Sequence, residues 1–389
     1  VPSGLFSANT EVTDFDSVFY ESALEVIPAG LFASGKKVET FESAFNRAAV
    51  SEIPAGLFDN AVNAKSFKSV FYSCENLVSV PAGLFDKCVS ATSFNQTFNH
   101  CTSLGAVPAG LFDNCPLVED VAMCFKDTGI SEIPAGILDK LTKVTSVQSL
   151  FEDCVNITSV PDGLFAKCTS VTDFSNVFAG CSALKSLGSK LFPVSAQNLS
   201  SAFNGCSSLP EIPEGIFSGL SEVTKFDNVF EGCTSITGVP AGLFKDNIKV
   251  TSFQYAFRDC ENLVTVGDPD DADGCIFKYA PDATDFGYVF QNCSALERIP
   301  AHSFAYNKKA FSFQCTFDEC RSLTGESPYA EVEVEVTGED GSVSKVLKKI
   351  HLYEREQFPD VFTAPYSYSY CFYGCRELID YDNIPYEWN

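Results

Sequence analysis

Tryptophan and methionine occur once each in 389 residues, histidine three times, and Lys plus Arg number 26 against 51 acidic residues. The shortage of cations leaves a formal charge of −25. That balance disfavours nucleic acid and anionic membrane surfaces as partners, because clustered Lys and Arg hold both. His100, His302 and His351 lie in unrelated local contexts. No Gly-x-Gly-x-x-Gly, Walker, Gly-x-Ser-x-Gly or His-Glu-x-x-His sequence is present, so no phosphate cradle, serine elbow or zinc helix is expected. No apolar run reaches the roughly 20 residues of a membrane-spanning helix, and no basic-then-apolar leader is seen. Met123 is the sole methionine and Val1-Pro2 already sits inside a repeat, so the start of translation, with any leader or lipid anchor, is expected upstream.

What the chain has in excess is phenylalanine, 36 residues, and cysteine, 17. Both fall into a repeat. A hydrophobic residue followed by Pro recurs at Pro2, Pro28, Pro54, Pro81, Pro108, Pro134 and Pro161, in steps of 26, 26, 27, 27, 26 and 27, and again at Pro213, Pro240 and Pro300. Leu187-Gly188 and Val266-Gly267 fill the intervening slots. One unit runs Leu77-x-x-Val80-Pro81-Ala82-Gly83-Leu84-Phe85-x-x-Cys88, then Ala91-Thr92-Ser93-Phe94-x-x-x-Phe98-x-x-Cys101. A fixed period of this length is the mark of a repeat solenoid. Residues 1–389 are expected to form one such domain of about thirteen coils.

Each unit holds two short strand signals, at Leu77 to Val80 and Thr92 to Phe94, and Pro must end its strand because it donates no ladder hydrogen bond. Gly-Leu-Phe-x-x-Cys and Phe-x-x-Cys place apolar residues at i and i+3, which predicts one turn of α- or 3₁₀-helix at each corner. The expected fold is a leucine-rich-repeat-like right-handed coil, with short parallel strands alternating with short helical corners. Two insertions break the period. An acidic loop at 267–275 contains Asp268, Asp270, Asp271 and Asp273 but lacks the EF-hand spacing. At 327–357, Ala330 to Val336 alternates, turns at Glu339-Asp340-Gly341-Ser342 and returns from Val343 to Tyr353, a β-hairpin, expected to cap an open end near the C-terminus.

Ten cysteines share one slot, the end of the second half's Phe-x-x-Cys, from Cys74 to Cys375, and Cys88, Cys115 and Cys168 take the equivalent slot of the other half. Ser22, Ala48, Thr128 and Leu141 occupy the same slots. Neither a metal nor an obligatory disulfide tolerates that exchange, so the requirement reads as small and apolar, and the thiols as core ladders. Cys315/Cys320 and Cys371/Cys375 are where a bridge would be sought first. The row Thr13, Thr92, Thr145, Thr172, Thr224, Thr251 and Thr284 reflects strand preference. Repeated slots set like residues in rows, whereas catalysis needs unlike residues converging; no catalytic, cofactor or metal residue is assigned. Tyr366, Tyr368, Tyr370, Tyr373 and Trp388 are candidate ligand contacts, because such rings offer rigid area with a polar tip.

The unit Leu77-x-x-Val80-Pro81 through Phe98-x-x-Cys101-x-x-Leu104 resembles the BspA-like leucine-rich repeats of bacterial surface proteins, over nearly the whole chain apart from the insertions, although the period here is longer. The resemblance implies an exported cell-surface protein, an outer-membrane-anchored lipoprotein, with a role in adhesion; the chain is expected to be a non-enzymatic monomer that binds protein or glycan on host or neighbouring cells as an adhesin or interaction scaffold. A carbohydrate-binding surface protein and a passive spacer are the alternatives. It assigns no functional residue, because the matching positions are core positions.

Overall fold

The computed structural model describes residues 1–337 and 342–389. Glu339, Asp340 and Gly341 of the expected hairpin turn lie outside the described residues. The solenoid expected over 1–389 divides by contact into two compact units, Val1–Leu209 and Pro210–Asn389, each a stack of coils.

In unit 1 the strands shrink to single parallel bridges. One row runs Asp14, Thr40, Ser66, Ser93, Asp120 and Ser146, each paired with the next. Unit 2 carries the equivalent row through Lys225, Ser252, Asp285, Ser312 and Ser367. Its other row includes β1 (Gly238–Val239) paired parallel with β2 (Thr265–Val266). The insertion gives the one long pairing among the described residues: β3 (Tyr329–Thr337) runs antiparallel to β4 (Val343–His351), with Val334 opposite Val346.

Except at Ile276–Tyr279, where the corner is a 3₁₀ turn, the regular corners are not helical, which corrects the expectation from the i, i+3 spacing. Helix among the described residues is confined to four 3₁₀ turns, Ile276–Tyr279, Leu352–Gln357, Tyr381–Asn383 and Tyr386–Trp388. A corner is instead a chain of β-turns in which alternate amides close the turns. In the Pro-Ala-Gly corner, Leu84 N–H donates to Pro81 C=O, Asp86 to Gly83 and Cys88 to Phe85. Gly83, at φ 73°, takes the third position of a type II turn, which only a residue at ease with positive φ can fill. Ala44, Asn46 and Ala48 close the Phe/Cys corner in the same way, onto Phe41, Ser43 and Phe45.

The remaining amides of the Phe/Cys corner point to the next coil: Phe41 donates to Ser66, Ser43 to Lys68, Phe45 to Val70 and Arg47 to Tyr72, all at 2.7–3.0 Å. This alternation forces every fourth residue to positive φ, as at Ser43, Arg47, Ser69, Ser73, Gln96 and His100. Such a conformation costs a side-chain-bearing residue about 1–2 kcal/mol, and the inter-coil bond it permits offsets the strain. A helix would direct all these amides within its own turn and leave the coils unlinked.

Side chains follow the same rows. Phe32, Phe41 and Phe45 form a triangle inside one coil, with centroids 4.9 Å and 5.9 Å apart. Each ring stacks on its counterpart, Phe45 on Phe71 at 5.5 Å and Phe71 on Phe98 at 5.7 Å. The cysteine slot offers a buried carbonyl as well as small apolar room. Cys74 Sγ donates to Phe45 C=O of the previous coil at 3.1 Å, Cys101 to Phe71 at 3.1 Å and Cys154 to Phe125 at 2.9 Å. In unit 2 the slot of the Pro-Ala-Gly half holds Asn247, whose Nδ2 donates to Phe217 and Leu220 carbonyls, and Asn307, which does the same to Phe277 and Ala280. The slot therefore accepts a compact donor, and Ala48 and Leu141 fill it without one.

Arg355 completes that series across the hairpin. Its guanidinium, 1% exposed, donates to Phe304 C=O at 2.6 Å and Asn307 C=O at 3.1 Å, the carbonyls the next asparagine would have met. The faces of Phe313 and Phe362 flank it at 5.1 and 4.7 Å. Burial pulls its pKa down, while the carbonyls and ring faces hold the cation. Capping is thus the work of the segment after the hairpin and of Trp388, whose carbonyl accepts from Phe372 N–H. The hairpin itself is anchored by Ala330, Ile350 and Phe362, and leaves Val336, Val343, Val346 and Leu347 exposed.

Asn247→Ala removes two buried hydrogen bonds and is expected to destabilise unit 2 by about 2 kcal/mol, at about 1 kcal/mol for each. Asn247→Cys restores one weak donor and recovers part of that loss, both read by urea denaturation.

Candidate functional site

The regular surface is largely committed to linking coils. Hydroxyls of the threonine row donate backwards, Thr92 to Lys65 C=O, Thr145 to Glu119 and Thr251 to Thr224. The corner charges pair along the stack, as in Arg47 with Glu21 at 3.0 Å and Lys126 with Glu152 at 2.8 Å. His100 is one of these corner residues, half-exposed between Asp127 and Glu75. All 17 cysteines are free and buried, and burial pushes the thiols of Cys74, Cys154 and Cys206 up to about 12.

The candidate aromatic contacts separate into two groups. Trp388 is 5% exposed and stacks on Tyr368 at 4.6 Å, so this pair belongs to the cap. Tyr366, Tyr370 and Tyr373 face solvent. Tyr366 rests one face on Phe311 at 4.7 Å, and Tyr370 meets Tyr373 edge-on at 5.9 Å.

Unlike residues converge where the two insertions approach one another in unit 2, which the sequence did not reveal because the residues come from three separate segments. The acidic loop turns its carboxylates to its own amides and nearby cations: Asp268 accepts from Asp270 N–H, Asp271 from Asp273 N–H, and Asp270 pairs with Arg298 at 2.8 Å. Among the described residues no cluster of metal-ligating side chains forms. Asp273 reaches beyond the loop. Its Oδ1 accepts from Tyr306 Oη at 2.9 Å and from His302 Nδ1 at 2.8 Å. These bonds hold the Asp273 carboxyl below its ordinary range and, with burial, push the Tyr306 phenol up to about 12. His302 Nε2 is enclosed without a hydrogen-bond partner, its ring edge-on to Tyr329 at 5.3 Å. A groove of about 530 Å³ opens here, with Ala305, Val361, Phe362 and Leu347 beside the polar cluster and the start of β3 as one wall.

A second cluster at the hairpin base brings Ser327, His351 and Asp380 together, the residue types of a nucleophilic relay. The geometry is not that of one. Ser327 Oγ donates to Asp380 Oδ2 at 2.6 Å, and Asp380 Oδ1 accepts Ser327 N–H at 2.9 Å. His351 presents the same nitrogen, Nδ1, to Ser327 Oγ at 2.8 Å and to Asp380 at 3.6 Å, while Nε2 faces Glu326 at 3.5 Å. A relay needs serine and carboxylate on opposite nitrogens and an accessible hydroxyl, and Ser327 is fully buried. The cluster locks the hairpin to the C-terminal segment.

No family model matches the chain, nor does any curated protein. Among solved structures the chain is similar to a leucine-rich cell surface protein from Faecalibacterium prausnitzii A2-165, at 17% identity, covering 68% of this chain and 76% of that one, with a TM-score of 0.28. It is similar to the leucine-rich repeat domain of the type III effector XopL at 15% identity, covering 64% and 68%, with a TM-score of 0.31. A leucine-rich repeat protein from Eubacterium ventriosum aligns at 14% identity, covering 70% and 77%, with a TM-score of 0.26. Likeness at this distance transfers neither ligand nor role.

Two outcomes test the site chemistry. A thiol reagent at pH 8 is expected to label no cysteine in the native protein and all 17 after denaturation, because buried thiols with raised pKa hold almost no thiolate there. Asp273→Asn removes the carboxylate that Tyr306 donates to, so an ultraviolet difference titration should show one tyrosine ionising near its ordinary value of about 10 where the parent requires about 12.

Proposed function

We propose that this chain is a non-enzymatic binding scaffold of the BspA-like leucine-rich-repeat kind, right-handed in its coil and displayed at a bacterial cell surface through an upstream lipid anchor, where it engages protein on host or neighbouring cells. One observation carries the reading. The repeated side chains are used in joining coils, while both departures from the repeat, the acidic loop and the hairpin, line a single groove in unit 2. In stacked repeats, insertions on one side are the usual place for recognition. The groove combines an apolar floor with fixed polar groups, the composition of a recognition site. Tyr366, Tyr370 and Tyr373 supply a second exposed contact area.

The test is adhesion of the protein to immobilised matrix proteins and to cells, alongside a glycan array. Binding to protein that falls at least about tenfold, or about 1.4 kcal/mol, when residues 331–349 are replaced by a Gly/Ser turn supports the reading. Glycan binding that survives that replacement, or ester hydrolysis abolished by Ser327→Ala, overturns it.

A further inference from the structure

The outer edge of β3 is an unpaired strand edge, and its parity can be read from one bond. Tyr329 N–H donates outward to Ala301 C=O of the adjoining coil at 3.0 Å. In an antiparallel ladder, successive residues direct their N–H and C=O alternately to one neighbour and the other. Glu331, Glu333 and Glu335 therefore share the outward direction of Tyr329, whereas Ala330, Val332 and Val334 bond inward to β4. Among the described residues, no backbone group meets the edge beyond Tyr329. The row that Ala301 begins is continued by open amides and carbonyls along the wall of the groove.

The chemistry of a matching segment is displayed on the other side of β3. In register with Glu331, Glu333 and Glu335 lie Lys349, Leu347 and Lys345 of β4, and Lys345 Nζ sits 2.9 Å from Glu333. On the opposite face of β3, Val332 packs with Ala305 and Val361 against the Ala330, Ile350 and Phe362 cluster. Asp273, Glu331 and Glu333 outnumber Lys308 among the charged residues of the groove. Pairing β3 with β3 of a second copy would set three glutamates against three, which like-charge repulsion across strands opposes.

We propose that the free edge of β3 captures an extended segment of a partner protein in which lysine or arginine alternates with apolar residues. The basic side chains face Glu331, Glu333 and Glu335, the apolar ones lie on Ala305, Val361 and Phe362, and the backbone extends the hairpin to three strands. This proposal names the partner chemistry for the scaffold reading above and rests on it.

The probe is a fluorescent, end-blocked heptapeptide Lys-Val-Lys-Leu-Lys-Val-Lys, titrated with the full chain by anisotropy, with its Glu-for-Lys counterpart as control. Glu333→Gln removes the charge and keeps the outward amide. Glu333→Pro removes both while sparing the bonds to β4, and Glu335→Pro repeats the test farther from the anchored base. The expected result is saturable binding of the basic peptide alone, weakened about threefold by Glu333→Gln and at least about tenfold by either proline, with unchanged melting temperature. Equal losses for Gln and Pro would overturn edge pairing. So would self-association of the chain, seen by sedimentation and abolished by Glu333→Pro, because a second copy would then be the occupant. Adhesion to protein ligands without any heptapeptide binding sinks this proposal and leaves the scaffold reading standing. Heptapeptide binding without adhesion does the reverse.

Discussion

The backbone hydrogen bonds of the Phe/Cys corners set the register of each unit, because they divide a short stretch of chain between two tasks. Ala44, Asn46 and Ala48 close turns, and Phe41, Ser43, Phe45 and Arg47 link one coil to the next. The division works only if every fourth residue adopts positive φ, which is why Ser, Asn, Asp and Gly recur at those positions beside unusual members such as Arg47 and His100. Once the amides are assigned, spacing between coils is fixed at ring-stacking distance, and phenylalanine is the residue that fills it. The Pro-Ala-Gly corner closes its turns in the same manner but has few links between coils. They appear at Gly163 to Ser189 and Phe165 to Leu191, where Gly188 lets the chain approach so closely that a Cβ would lie 2.5 Å from Pro161 C=O.

Buried carbonyls explain the cysteines better than hydrophobicity does. The Phe carbonyl at each corner accepts an amide from its own turn and has a second lone pair facing the next coil. A thiol, a threonine hydroxyl or an asparagine amide reaches it without enlarging the core. Thr97 donates to Phe67, Cys101 to Phe71 and Asn247 to Phe217, three chemistries with one role. Arg355 extends the list to a fully buried cation that donates to the carbonyls of Phe304 and Asn307, tolerable because two carbonyls and two aromatic faces replace water around it.

Much of this was legible in the sequence, and the failures have physical causes. The Phe and Cys spacings revealed the coil, the two halves and the core ladders, because packing writes itself into periodicity. The alternation from Ala330 to Val336 and the return from Val343 located the hairpin to within about two residues, the usual uncertainty of strand ends. An i, i+3 apolar pair fits a chain of turns as well as a helix, so the corner conformation is not legible in the spacing, and side chains do not report where amides point. Nothing in hydropathy marks Asn247 and Asn307 as members of the thiol series, since it hides the donor that joins them to it. Asp273, His302 and Tyr306 stood unconnected, being brought together only by neighbouring coils and an insertion. Tyr366, Tyr370 and Tyr373 are exposed, whereas Trp388 is core, a distinction that aromatic content alone does not carry.

Amide hydrogen exchange resolved to single residues tests the corner geometry most directly. The account predicts unbroken protection from Ser43 through Ala48, where turn-closing and inter-coil donors interleave, and alternating protection from Gly30 to Gly35, with Leu31, Ala33 and Gly35 slow and Gly30, Phe32 and Ser34 fast. Uniform protection in both corners, as helices would give, or alternation in the Phe/Cys corner, would contradict it.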